Sequence, residues 1–158
     1  MKINKKLLIF ILIALVIAAY IFFNSLWNVE DSTQQSNVWV NLILKILGKD
    51  ESFAKAHHLS HYVRKAAHLL EYTILGISLG FIAKQLESLF KRKFISAPIL
   101  CGMIISIIDE SLQGLSDRSC EVKDVIIDSS GIVVGVLIIT LLIPFIKYCI
   151  AKRKGKVK

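Results

Sequence analysis

Four apolar runs occupy so much of this 158-residue chain that a membrane bundle is the one fold able to hold it. Leu7–Phe23 is a 17-residue stretch without a charge, preceded by Lys2, Lys5 and Lys6. Ala66–Ala83 has only His68 and Glu71 as ionisable interruptions, Phe94–Ile108 has none, and Val125–Ile146 has Asp128 one turn in. A helix rises about 1.5 Å per residue and a hydrocarbon core takes about 20 residues. The third run therefore reaches full depth only near Gln113, which puts Asp109 and Glu110 inside the span. The predicted spans are 7–23, 66–83, 94–113 and 125–146. With 54% hydrophobic residues and no soluble stretch of domain size left over, residues 1–158 read as a single integral membrane domain. The expected class is all-α, a four-helix transmembrane bundle. The first run also has a signal-peptide reading; its length and the lack of an A-x-A-like cleavage site before Asn24 favour a retained span.

The net charge of +8 follows the spans rather than a nucleic-acid patch, and no nucleic-acid partner is expected. Thirteen of the 20 basic residues lie before span one, between spans two and three, or in the tail, with Glu87 as the single acid there. The other side carries 7 basic and 11 acidic residues, so the split is +12 against −4. Basic loops mark the cytoplasmic side, which predicts an N-in, C-in topology with lipid as a partner. The three cysteines lie at different depths and have no C-x-x-C spacing, so no disulfide frame is expected.

The segment after span one divides in two. Asn28–Asn37 is polar and reads as loop. Val38, Trp39, Leu42, Ile43, Ile46 and Leu47 then recur at helical spacing up to Gly48. This predicts an extracytoplasmic amphipathic helix lying in the interface, or less simply a re-entrant one. A further helix is expected from Ser52 straight into span two. Gly76/Gly80 and Gly131/Gly135 are G-x-x-x-G pairs, which let helix backbones approach in lipid, so spans two and four are expected to pack.

Ionisable groups at membrane depth cost about 2.5–3.5 kcal/mol each on insertion scales and tend to face a bundle interior. Here three spans supply them at one end. Arg64, His68 and Glu71 stack at i, i+4, i+7, flanked by Lys65 and Tyr72; Asp109 and Gln113 stack at i, i+4 with Glu110 beside them; Asp124, Asp128, Gly131 and Gly135 share a face of span four. Arg118 in the intervening loop can reach over the top. Two readings stand. These are ion pairs, Arg64 or Arg118 with Glu71, Asp109 or Asp128, that fix helix register; or they form a functional pocket. Five acids against Arg64, Lys65 and Arg118 leave carboxylates to be protonated, hydrated or matched by a cation. No metal or other cofactor is expected: His57, His58 and His61 read as interfacial residues, and no H-E-x-x-H pattern accompanies them. Ser106 and Ser111 lie near the acids without a nucleophile motif. His68 beside Glu71 can serve as an oriented base.

Arg64-Lys65-x-x-His68-x-x-Glu71-Tyr72, Asp109-Glu110-x-x-Gln113, Arg118, Asp124 and Gly131/Gly135 resemble the VanZ-like family of small bacterial membrane proteins. The chain departs from that pattern at Asp128, where the family has asparagine, and at Ser116-Asp117, where it has proline-glycine. The resemblance implies a multi-pass protein of the bacterial plasma membrane linked to glycopeptide resistance, especially to teicoplanin-like lipoglycopeptides. Three roles remain open: a pocket on the outer face for a lipoglycopeptide or lipid-linked cell-wall intermediate, an intramembrane enzyme, or a helper subunit in a homo- or hetero-oligomer.

Overall fold

The computed structural model describes residues 5–26, 29–115 and 120–153, leaving aside the side chains at 29–32, 35 and 56. All regular structure among them is helical: α1 (Lys5–Ser25), α2 (Val29–Leu47), α3 (Glu51–Ala56), α4 (Leu59–Phe90), α5 (Ser96–Gly114), α6 (Val122–Leu137) and α7 (Ile143–Arg153). A π-helical segment, Ile138–Leu142, joins α6 to α7. The helices α1, α4, α5 and the rod from α6 through α7 are each long and apolar enough to cross a membrane. Their outer faces carry exposed Leu12, Val16, Ile74, Ile104, Val134 and Phe145, apolar surface that suits lipid rather than water.

Boundaries differ from the sequence reading where polarity was taken for loop. The 28–37 stretch is helical from Val29, because it holds neither proline nor glycine and the amphipathic half of α2 propagates backwards into it. Gly48 ends α2 with φ +63°, the left-handed conformation glycine adopts without strain. The helix expected from Ser52 into span two is broken in the middle. Asp50 caps α3, its carboxylate accepting from Ser52 Oγ at 2.7 Å and Phe53 N at 3.1 Å. Those bonds, the Ser52 hydroxyl first, hold its pKa below the usual aspartate value. The chain then turns at His58, φ 48°, before α4 begins at Leu59. Span four likewise runs on to Arg153. Pro144 lacks an N–H and its ring presses on the carbonyl four residues back, that of Thr140. The wider π turn over Ile138–Leu142 accommodates both, and the rod continues.

The core is Tyr72, Leu75 and Leu79 of α4 against Ile132 and Val136 of α6, closed by Ala14 and Ile21 of α1. Glycines set how near α4 and α6 come. A Cβ on Gly76 would stand 2.5 Å from Ile132 O, and one on Gly131 2.7 Å from Leu69 O. One on Gly135 would run into Thr73 O and stand 2.6 Å from Ile77 N. Gly80 meets Ile139 Cβ at 2.9 Å in the same sense. Both glycine pairs are thus spent on close approaches inside the chain. The α1 helix is fastened at both ends. Near its start the Phe10 and Phe81 rings stack at 4.7 Å, and Ser78 Oγ donates to Phe10 O at 3.2 Å. At its end Ser25 Oγ donates to Asp109.

Candidate functional site: a buried polar centre at one end of the bundle

Because α4 runs away from one end of the bundle, α5 returns to it and α6 starts from it, three helices bring their polar ends together there. Asp109, Glu110 and Gln113 of α5 and Asp128 of α6 are buried, as is Tyr72 of α4; Arg64, Lys65, His68, Glu71 and Asp124 are half-buried around them. Asp109, wholly enclosed, accepts from two sides: Ser25 Oγ at one oxygen, Gln113 Nε2 at the other at 3.1 Å. Asp128 Oδ2 accepts from Ser106 Oγ at 3.3 Å, while its Oδ1 is buried with no hydrogen bond, as is the Tyr72 hydroxyl. Glu110 Oε1 accepts from the backbone N–H of Glu121 at 2.6 Å, tying the start of α6 to the end of α5.

The ion pairs are not those the sequence suggested. Lys65 pairs with Asp124, joining α4 to α6. Arg64 forms no ion pair among the described residues, and no lysine or arginine there bridges Glu71, Asp109 or Asp128. Glu71 instead accepts from Asn24 Nδ2 at 3.5 Å. Arg118 lies outside the described residues. His57, His58 and His61 are exposed, with His57 Nδ1 on Phe53 O at 3.0 Å. A different trio comes together: one ligand atom each from His68, Asp109 and Asp128 lies within 4.8 Å of the others.

Asn24, Ser25 and Ser106 complete this centre and escaped the sequence reading as partners of the acids. A signal existed for Ser106, which stands three residues before Asp109 and so on its face. Asn24 and Ser25 carried only the weaker sign of ending an apolar run at the same depth.

One hollow adjoins the centre, and a second lies apart from its residues. A cavity of about 10 Å³ is lined by Arg64, Lys65, His68, Gln113, Asp124 and Asp128; that is room for one water or ion, not for an organic head group. A groove of about 460 Å³ runs between α2 and the α3–α4 corner, with Val40 and Leu44 on it beside Asn37, Asn41, Lys55 and His58. In comparison with known families, the VanZ/LLP1 family model matches residues 10–143. No curated protein and no solved structure matches the chain.

Proposed function

Because the chain belongs to the VanZ/LLP1 family, we propose that it acts in the plasma membrane of a bacterium to lower susceptibility to lipoglycopeptides, by holding an amphiphile at the outer face. The amphiphile is a teicoplanin-like lipoglycopeptide or a lipid-linked cell-wall intermediate. The observation that carries this reading is the 460 Å³ groove, which sets apolar Val40 and Leu44 beside polar Asn37, Asn41, Lys55 and His58. An amphiphile divides in the same way, and Arg64 and Lys65 lie further along α4 for an anionic head. The small cavity supports placing that head outside the buried centre.

Expression in a sensitive Gram-positive host is expected to raise teicoplanin tolerance several-fold and vancomycin tolerance less, since vancomycin lacks the acyl tail. Asn41→Trp, which fills the groove, should remove the gain, whereas exposed Lys123→Ala should keep it. Equal, unchanged tolerance to both antibiotics with insertion confirmed would count against the reading.

The charge split supports an N-in, C-in orientation with the centre outside. Cys101, Cys120 and Cys149 are all exposed. In a Cys101→Ser, Cys149→Ser variant, an impermeant maleimide added to intact cells is expected to label Cys120 fully. Labelling only after the cells are opened would reverse the topology.

A further inference from the structure

We propose that His68, Asp109 and Asp128 bind one divalent transition-metal ion of the Zn²⁺ or Mn²⁺ class. Three helices deliver the three donors to one point, with a ligand atom of each within 4.8 Å of the other two. A metal with bonds of about 2.0–2.2 Å would draw them inward by small side-chain rotations. Asp128 supplies the independent sign of a missing partner. It is 1% exposed, it lines the 10 Å³ cavity, and its Oδ1 has no hydrogen bond. A buried carboxylate oxygen left in that state costs free energy unless a proton or a cation meets it.

The surroundings favour a cation. No lysine or arginine among the described residues bridges Asp109 or Asp128, and Lys65 is engaged by Asp124. A dication would match both carboxylates at once. The groups around the donors also have the character of a ligand-orienting shell. Ser25 and Gln113 hold the two oxygens of Asp109, and Ser106 holds Asp128 Oδ2, with Oδ1 left without a hydrogen bond. One imidazole with two carboxylates suits Zn²⁺ or Mn²⁺; Ca²⁺ prefers six to eight oxygens and Mg²⁺ an octahedron of them. Two of the three donors, His68 and Asp128, line a cavity the size of one water, which leaves a coordination position for solvent.

The site is tested on purified, chelator-stripped protein in mild detergent, with no antibiotic present, so this result and the tolerance assay fail separately. Equilibrium dialysis against Zn²⁺ or Mn²⁺ should give one ion per chain, and neither Mg²⁺ nor Ca²⁺ should compete. At a hundredfold excess over Kd the metal should raise Tm by roughly 5–10 °C. His68→Gln and Asp128→Asn should each weaken binding by more than about a hundredfold, and Ser106→Ala by about tenfold. Replacing His57, His58 and His61 together with glutamine should leave the stoichiometry intact. Pulsed EPR of the Mn²⁺-loaded wild type should detect one imidazole nitrogen, a readout that requires no variant to fold. Absence of stoichiometric binding, no coupled nitrogen, wild-type affinity in His68→Gln, or loss of binding in the triple variant would each overturn the site.

Discussion

Gly135→Leu is expected to yield no folded bundle in mild detergent. The Cβ alone, before any further side-chain atom, would run into the Thr73 carbonyl and stand 2.6 Å from Ile77 N and 2.7 Å from the Gly76 carbonyl carbon. These are backbone atoms of a helix, so no side-chain rotation relieves the overlap, and α4 and α6 must part. Parting them uncovers Tyr72, Leu75, Ile132 and Val136, which are fully enclosed when the helices touch. The milder Gly135→Ala is expected to cost about 3 kcal/mol, the upper end of ordinary overpacking, read as a lowered midpoint in thermal melts followed by circular dichroism. Gly114→Ala is the control: among the described residues its Cβ would meet Cys120 Cβ alone, at 3.6 Å. There the helix-forming advantage of alanine should leave stability unchanged or up to about 1 kcal/mol higher. A Gly135→Ala protein melting with the wild type would mean that the two helices do not meet backbone to backbone.

The second large effect lies in the polar centre. Asp109→Ala strips the acceptor from two donors at once, Ser25 Oγ and Gln113 Nε2, in a place where solvent cannot replace it. Each donor that loses its acceptor costs about 1–3 kcal/mol, so the pair should lose about 2–6 kcal/mol. Ser25→Ala removes one of the bonds and should lose less. Asp109→Asn, which keeps one carbonyl acceptor, should fall between wild type and Asp109→Ala. Because the Ser25 bond fastens the end of α1 to α5, the Asp109→Ala protein should also be cut by protease between α1 and α2 faster than it melts globally. Equal stability of Asp109→Ala and wild type would remove this network from the account of the fold.

The spans were legible in the sequence because lipid demands long uninterrupted helices, and Leu7–Phe23 or Val125–Ile146 admit no other structure. The edges were less so. Residues 28–37 look like a loop by composition, yet nothing in them stops a helix that α2 has already begun. Pro144 stands near the end of the predicted fourth span, and a π turn lets the helix run on past it. At the centre, stacking at i, i+4, i+7 pointed to side chains that the fold does gather, since helical geometry fixes which residues share a face. Pairing was another matter. Which base meets which acid depends on the rotation of one helix against its neighbour, so Lys65 with Asp124 was not readable, nor was the part played by Asn24 and Ser25 of α1. The His68–Asp109–Asp128 trio was hidden for the same reason. No two of its members lie within one motif, and only the backbone approach at Gly76 and Gly131 brings α4 and α6 near enough.

One consequence of the Ser25–Asp109 bond is electrical. Ser25 is the last residue of α1, and a 21-residue helix is about 32 Å long, close to the full thickness of the hydrocarbon. Across such a span, Asp109 is therefore held toward one end, away from the midplane. An elementary charge carried all the way through a membrane gains about 2.3 kcal/mol for every ~100 mV of potential. One that stops near the end by which it enters falls through only a small part of that voltage. A cation that enters from that end to reach Asp109 and Asp128 would be held nearly alike in an energised cell and a depolarised one.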